Sequence, residues 1–328
     1  MMITIWMAAL ALAGTTPAQT IPTHYEAGHF YATPQTTSGS SLRLLVDTGG
    51  GGVAGMYWLS AKAAQRLGLQ TGTCAVGGES LTVATPPAYK PGQELPIAAG
   101  PCPGKLAVNP QPFSEDGQLG AAYLGNRVWT FDYPQRRLIA EASDWQADPA
   151  AHRAPLGFQS DDGGKVVQHF PRIVVRVDGK PLNMLLDTGA TAHPTARGKR
   201  ASGTKTVHGF GVASYITTGM LERWHKAHPE WTVVEEGDDL LAPRFKARLI
   251  EVPTLEIAGW TVGPVWFTER PDQAFLGMMA SIMDEPPEGA IGANVLDHFS
   301  MTVDYPNAAA WFLCDRDCTA APSRSGSQ

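Results

Sequence analysis

One short motif occurs twice in this chain of 328 residues. Residues 44–49 read Leu-Leu-Val-Asp-Thr-Gly, and residues 184–189 read Met-Leu-Leu-Asp-Thr-Gly. In each copy an apolar run typical of a buried strand ends abruptly at an aspartate, Asp47 or Asp187. A carboxylate at the end of a buried strand is costly to desolvate unless it is hydrogen-bonded, paired or used in chemistry. Two such carboxylates, one in each copy, indicate a site that both copies build together.

The repeat extends on both sides of the motif. His29 and Phe30 precede the first copy as His169 and Phe170 precede the second, at the same offset of 140 positions as the two aspartates. Later residues recur at an offset of 172: Gly117, Gly120, Leu124, Thr130, Asp132, Tyr133 and Pro134 match Gly289, Gly292, Leu296, Thr302, Asp304, Tyr305 and Pro306. The second copy thus carries 32 extra residues between its two groups of matches. The period is far too long for a solenoid and indicates duplication of a whole lobe.

The composition indicates an all-β protein with a few short helices. The chain contains 35 Gly and 26 Pro, and charged residues make up only 17% of it, which is typical of a loop-rich β fold. Its length suits two domains, each with its own core. We predict a signal peptide (1–18), an N-terminal β lobe with the first Asp-Thr-Gly (19–145), a linker (146–165), a C-terminal β lobe with the second Asp-Thr-Gly (166–318) and a disordered tail (319–328).

Capping and turn residues predict several local elements. Ser60 and Gly68 are typical of the two ends of a short helix. A second helix is predicted over residues 217–228, and Pro229 ends it. Residues 29–47 predict two strands joined by a turn at 38–41, and residues 248–267 predict a hairpin around Ala258 and Gly259.

The first residues predict export. Residues 3–13 form an apolar segment that is too short to span a bilayer and is typical of a signal peptide, with cleavage expected after Ala18. No later segment is predicted to span a membrane. We therefore expect a periplasmic or secreted protein.

Four cysteines predict two disulfides, because an even count in an exported chain is typical of paired cysteines. Nearest-neighbour pairing joins Cys74 to Cys102 and Cys314 to Cys318, and the other pairings stay open. This spacing lacks the facing Cys-x-x-Cys pairs of a zinc site, and the His225/His228 pair has no acidic partner in its motif. No metal and no cofactor are expected.

The charge balance argues against nucleic acid as a partner. The net charge is −6 and the sequence pI is about 5.8. The one short basic run, at residues 197–200, is typical of a solvated loop. Nucleic acid is therefore not expected as a partner.

Each residue of the Asp-Thr-Gly turn has a property that suits a catalytic carboxylate. The glycine lets backbone approach the carboxylate closely, and the threonine hydroxyl can lock the loop by bonding to main chain. If pseudo-two-fold symmetry brings the turns together, Asp47 and Asp187 come within reach of one shared water. Such a pair retains one proton over a range of pH and holds an acid and a base together. One carboxylate then takes a proton from the water while the other polarises a carbonyl under attack.

The two motifs, each followed at a distance by Leu-Gly or Ile-Gly and then by Asp-Tyr-Pro, resemble those of aspartic peptidases. The resemblance covers residues 27–140 and 167–313, and is closer to retropepsin-like bacterial members than to pepsin. It implies a bilobal acid-protease-like fold, with two pseudo-two-fold related β-barrel lobes and a cleft between them. It also implies a catalytic dyad with supporting residues: Asp47 and Asp187 react, Thr48, Gly49, Thr188 and Gly189 complete the turns, and Gly120 and Gly292 pass behind them.

Three features depart from the pepsin pattern. Gly50 and Ala190 follow the two motifs where pepsin-like enzymes usually place Ser or Thr, which favours a milder pH optimum than that of pepsin. Residues 50–52 are all glycine, and Gln118 stands before Leu119 where an apolar residue is usual. Candidate flap tips contain Gly77 and Gly78 in the first lobe and Gly209, Phe210 and Gly211 in the second, with ordinary surface turns as the alternative.

The sequence therefore predicts an exported, monomeric aspartic endopeptidase acting on peptide or protein substrates. The alternative is a catalytically silent peptide-binding or structural protein that retains the bilobal fold. A dimer is unnecessary, because one chain carries both Asp-Thr-Gly copies. No subsite, and hence no substrate preference, is predicted.

Overall fold

A computed structural model describes residues 16–98 and 100–321. Residues 1–15 of the predicted signal peptide and residues 322–328 of the predicted tail lie outside the described residues. The mainly β, bilobal fold predicted from the sequence is confirmed.

The first half of the chain contains short strands and two short helices. The strands are β1 (Gln19–Ile21), β2 (Thr23–Glu26), β3 (His29–Ala32), β4 (Leu44–Val46), β5 (Tyr57–Ser60), β6 (Thr71–Val76), β7 (Glu79–Ala84), β8 (Leu106–Asn109), β9 (Gly117–Leu119), β10 (Val128–Asp132) and β11 (Arg137–Ala140). The helices are α1 (Ala61–Arg66) and α2 (Ala121–Leu124), and Gly52–Gly55 forms a single tight turn.

The second half repeats this plan with additions. Its strands are β12 (His152–Gly157), β13 (Arg172–Val177), β14 (Lys180–Leu186), β15 (Thr191–Ala192), β16 (Gly211–Val212), β17 (Ser214–Thr217), β18 (Val233–Asp238), β19 (Ala247–Val252), β20 (Leu255–Ile257), β21 (Trp260–Val262), β22 (Val265–Arg270), β23 (Gly289–Ile291), β24 (Phe299–Asp304), β25 (Ala309–Cys314) and β26 (Thr319–Ala320). Its helices are α3 (Ala196–Ser202), α4 (Thr218–Ala227) and α5 (Ala293–Leu296), with helical turns at Gln273–Met278 and Met279–Ser281.

The two lobes share one strand order. In the first lobe the sheet runs β3-β4-β9-β5-β8-β7-β6, and in the second it runs β13-β14-β23-β17-β22-β19-β18. In both lobes the motif strand pairs in parallel with the later strand, β4 with β9 and β14 with β23. The same non-local pairing in both copies establishes the duplication as structural.

The pseudo-two-fold axis that relates the lobes passes through a sheet to which both lobes contribute strands. Its order is β1-β11-β10-β24-β25-β12, so that β10 of one lobe pairs with β24 of the other. Thr130 lies opposite Thr302, its own repeat counterpart, and their hydroxyl groups are 2.8 Å apart. Because counterparts meet there, the pseudo-two-fold axis passes between these two threonines.

The extra residues of the second lobe lie in two places. Ser214 of β17 and Tyr57 of β5 occupy equivalent positions, yet Ser214 lies 27 positions beyond Asp187 while Tyr57 lies 10 beyond Asp47. This first insertion holds β15, α3 and β16. The remainder lies between β17 and β23, mainly in the helical turns before Gly289.

The predicted local elements are present. Ser60 accepts a hydrogen bond from the Ala63 N–H and caps α1, and Thr217 caps α4 in the same way through Met220. The strands β3 and β4 pair within residues 29–47, and β20 and β21 pair around Ala258 and Gly259. Side-chain caps satisfy orphan N–H groups, which is why these short helices begin where the sequence predicts.

The predicted linker and tail take part in the sheets. β12 lies within residues 146–165 and pairs with β25 and β13, and β26 of the predicted tail pairs with β21. Both predicted disulfides form, Cys74 with Cys102 and Cys314 with Cys318. None of the helices within residues 16–98 and 100–321 is long and apolar enough to cross a membrane.

Candidate active site

The two Asp-Thr-Gly turns meet at the ends of equivalent strands. β4 ends at Val46 and β14 ends at Leu186, and the next N–H in each chain segment bonds across to the parallel neighbour. Asp47 N donates to Leu119 O at 3.0 Å, and Asp187 N donates to Ile291 O at 2.9 Å. Each aspartate is only 8% exposed. Parallel pairing with β9 and β23 therefore fixes where each buried carboxyl group leaves its strand.

The two threonines connect the turns reciprocally. The Thr48 hydroxyl donates to Leu186 O at 2.5 Å and accepts from the Thr188 N–H at 3.0 Å. The Thr188 hydroxyl donates to Val46 O at 3.0 Å and accepts from the Thr48 N–H at 3.1 Å. Both side chains are buried, so these four bonds satisfy main chain that water does not reach.

Each glycine of the motif lies against the carboxyl group of the other lobe. A Cβ added to Gly49 would stand 2.5 Å from Asp187 Cγ, and one added to Gly189 would overlap the carboxyl of Asp47. The same glycines hold their own aspartate: Gly49 N donates to Asp47 Oδ1 at 2.8 Å, and Gly189 N donates to Asp187 Oδ1 at 3.0 Å. Only a residue without a side chain permits this approach.

Gly120 and Gly292 pass behind the two turns. A Cβ on Gly120 would stand 2.6 Å from Gly55 O and 2.8 Å from Gly50 O. A Cβ on Gly292 would overlap Ala213 O and stand 3.0 Å from the Ala190 methyl. The Ala121 N–H also donates to Gly50 O at 3.1 Å, so the glycine run after the first motif has a fixed main-chain partner.

The carboxyl groups of Asp47 and Asp187 interact with each other, and each changes the pKa of the other. Burial raises the pKa of both, because the charged form loses its hydration. The Asp47 charge raises the pKa of Asp187 further, to well above its usual value. The pair therefore retains one proton over a range of pH, which places an acid beside a base.

Gln118 is a site residue that sequence reasoning missed. Its amide Nε2 donates to Asp47 Oδ2 at 2.5 Å, and its Oε1 accepts from Trp58 Nε1 at 2.9 Å. Both side chains are buried. The signal was present in the sequence, since Gln118 occupies a position where its surroundings favour an apolar residue.

The second lobe supports its turn differently. Ala290 occupies the position of Gln118, and Tyr215 occupies that of Trp58. The Tyr215 hydroxyl accepts from Thr191 N at 2.6 Å and donates to Thr191 O at 2.5 Å. Arg270 stacks on the Tyr215 ring at 4.1 Å and also donates to Thr191 O at 3.2 Å. These groups hold the main chain and leave the Asp187 carboxyl untouched.

His29 reaches across from the first lobe to the turn of the second. Its Nε2 lies 3.2 Å from Thr191 Oγ1, and the nearby main chain of Gly189 and Ala190 acts to raise its pKa, against the larger effect of burial. His169 crosses in the opposite direction, since a Cβ on Gly125 would stand 2.7 Å from its Cγ. The repeated His-Phe pair was the sequence signal for these contacts, in which a histidine of each lobe packs against the other lobe.

Burial of His29 predicts an acid-sensitive contribution to stability. Burial lowers its pKa to about 4, while the unfolded chain has its usual pKa of about 6.5. Between these pH values the unfolded state binds more protons, so the free energy of unfolding falls as the pH falls. The expected loss from pH 6.5 to pH 4 is about 3 kcal/mol. His29→Gln retains an amide near the Nε2 position and removes this loss.

The measurement is chemical denaturation of both proteins at several pH values. Carboxyl groups titrate equally in the two chains, so the wild-type minus variant difference isolates His29. Equal pH dependence of the two proteins between pH 6.5 and pH 4 would contradict the assignment.

The candidate flap tips lie at two turns. Gly77 and Gly78 form the turn between β6 and β7, both with positive φ, and the Cys74–Cys102 disulfide joins this hairpin to the segment before β8. Gly209 lies in a turn closed by Val207 and Phe210, inside the first insertion of the second lobe. By strand order, the second-lobe counterpart of β6–β7 is β18–β19. Whether either predicted turn covers a substrate stays a prediction.

A separate cavity lies between the lobes. Its volume is about 710 Å³, and its lining includes Tyr25 and Arg136 of the first lobe and Lys205 and Trp266 of the second. Neither catalytic candidate lines it.

Among the solved structures that match this chain are two that are matched over nearly their whole length. Aspartic proteinase from Irpex lacteus shares 12% sequence identity, and the match covers 92% of this chain and 98% of that one, with a TM-score of 0.49. Basic 7S globulin from soybean shares 10% identity over 90% of this chain and 94% of that one, with a TM-score of 0.45. No protein-family profile and no curated protein sequence matches the chain. Identities this low say nothing about activity, which has to be inferred from the site.

Proposed function

We propose that this protein is an aspartic endopeptidase that hydrolyses bonds in peptide or protein substrates. The observation that carries the proposal is the meeting of Asp47 and Asp187, two buried and interacting carboxyl groups from two copies of one motif, each packed against the motif glycine of the other copy. Desolvating two carboxyl groups side by side costs free energy that a purely structural turn need not expend. Perturbed carboxyl pairs of this kind cluster at catalytic sites.

The reaction follows from one shared proton. A water held between the carboxyl groups gives a proton to the ionised one and attacks the peptide carbonyl carbon. The protonated carboxyl donates a hydrogen bond to the carbonyl oxygen and then its proton, which yields a tetrahedral diol. Transfer of a proton to the amide nitrogen breaks the C–N bond and releases a carboxylic acid and an amine. This scheme uses no cofactor and no covalent intermediate.

The proposal also covers the type of aspartic peptidase, its oligomeric state and its cellular location. The Gly50 and Ala190 positions support a retropepsin-like enzyme, because neither supplies a hydroxyl to its carboxylate. Both halves of the site belong to one chain, which supports a monomer. The two disulfides support export, since such bonds persist in oxidising compartments.

The deciding experiment is cleavage of casein and of a peptide library between pH 3 and pH 8. Each reaction is run with and without a statine-type inhibitor, which imitates the tetrahedral diol. We expect internal cleavage that the inhibitor blocks. Transition-state analogues bind at least about 10²-fold more tightly than substrates, so inhibition at low concentration is expected.

The silent peptide-binding alternative predicts a different result. It gives no cleavage at any pH and no inhibitor binding by calorimetry, although the protein remains folded. That combination would overturn the proposed function.

A further inference from the structure

The two lobes treat their carboxyl groups unequally. Asp47 Oδ2 accepts a side-chain hydrogen bond from the Gln118 amide, and Trp58 Nε1 donates to the oxygen of that amide. At the equivalent places in the second lobe stand Ala290 and Tyr215, and neither donates to Asp187. A donor to a carboxylate favours its charged form, so the asymmetry bears on which group is ionised.

Gly50 makes room for this donor. A Cβ at Gly50 would stand 2.5 Å from Gln118 Nε2 and 2.9 Å from Asp47 Oδ2, so a methyl there would displace the amide. The second lobe has the complementary pair, with Ala190 in the place of Gly50 and Ala290 in the place of Gln118. In the first lobe, the absence of a side chain at Gly50 leaves space for the Gln118 amide. In the second lobe, the methyl group of Ala190 is accompanied by Ala290, which has no amide to donate.

We propose that Gln118 is a positioning residue that holds Asp47 as the ionised carboxylate and leaves the shared proton on Asp187. Asp47 is then the base that takes the proton from water, and Asp187 is the acid that faces the carbonyl oxygen. This inference rests on the proposed function, because it assigns separate roles to the same two carboxyl groups.

Other ionisable groups near the pair do not produce this asymmetry. The Asp47 charge acts on the Tyr305 phenol, and the Asp187 charge acts on the Tyr133 and Tyr215 phenols. Burial raises the pKa of each of these phenols, to about 12 for Tyr215, so all are neutral. His29 contacts the Thr191 hydroxyl rather than a carboxyl group, and it is present in every variant compared below.

The test removes the donor in two independent ways. Gln118→Met retains the shape and loses the amide, and Gly50→Ala displaces the amide without changing it. In both variants the lower titration midpoint of the pair is expected to rise by about one pH unit, because a hydrogen bond to a charged group is lost. The acid limb of kcat/KM against pH should move by the same amount.

The matched control is Tyr215→Phe. It removes the polar group that supports the second turn, but that group bonds main chain and not Asp187. We expect a lower melting temperature with an unchanged acid limb. A general loosening of the site would instead move the acid limb in all three variants.

The carboxyl titration is also read directly by ¹³C NMR of labelled aspartate side chains, with Asp47→Asn identifying the Asp47 signal. An inactive chain whose Asp47 midpoint still rises in Gln118→Met would contradict the proposed function and, with it, the base and acid roles, and would leave only the effect of Gln118 on the ionisation of Asp47 supported. An active chain whose midpoints and acid limb stay unchanged in both Gln118→Met and Gly50→Ala would overturn this inference alone.

Discussion

Asp47→Asn and Asp187→Asn are each expected to lower kcat/KM for peptide hydrolysis by at least about 10³-fold, within the range that positioned acids and bases contribute. Neither variant can hold an acid beside a base, because an amide neither accepts the proton of water nor donates an acidic one. The amide has the size of the carboxyl group and carries no buried charge. The fold and melting temperature are therefore expected to persist, as measured by circular dichroism.

Asp304→Asn is the matched control for these variants. Asp304 is also a buried aspartate of the repeat, 4% exposed, but it accepts bonds from Asn307 at the end of β24. Its replacement should leave kcat per folded molecule unchanged. Full activity in either Asp47→Asn or Asp187→Asn would contradict the shared-carboxyl mechanism.

Thr48→Val is expected to lower the free energy of unfolding by about 3 kcal/mol, since it leaves two buried main-chain groups without partners at about 1–3 kcal/mol each. These groups are Leu186 O and the Thr188 N–H, both in the other lobe. The loss loosens the contact that aligns the two turns, so kcat should fall as well. Urea denaturation and steady-state kinetics measure the two effects.

Thr48→Ser separates the hydroxyl from the methyl group. It retains both hydrogen bonds and deletes one buried methyl, at a cost of about 1 kcal/mol. Equal stability of the Val and Ser variants would show that the hydroxyl does not join the lobes.

The unequal supports of the two turns link these predictions to the pH behaviour of the molecule. The first turn is held through the carboxyl itself, by Gln118. The second is held through its main chain by Tyr215 and Arg270, and through the Thr191 hydroxyl by His29. Acid therefore has two separate effects. It protonates the carboxyl pair, and below pH 6.5 it lowers the free energy of unfolding, because the unfolded chain binds a proton at His29 that the buried, neutral side chain does not.

Much of the fold was predictable, because its signals are local. Apolar runs ending in Asp-Thr-Gly predict buried strands, Ser60 caps a helix three residues away, and neighbouring cysteines pair. The duplication was predictable too, since two groups of matched residues keep their order at offsets of 140 and 172. Even the pairing of Asp47 with Asp187 follows once the two halves are expected to face each other.

By itself, therefore, the sequence determined the two motifs, their repeat and the mainly β, two-lobed fold. The tertiary structure alone decided that Gln118 reaches Asp47 from 71 positions away, and that His29 reaches Thr191 from 162 positions away. The physical reason is that such contacts depend on which strands become neighbours and in what register. Parallel pairing of β4 with β9 carries Gln118 to the carboxyl, and no local pattern records that partner.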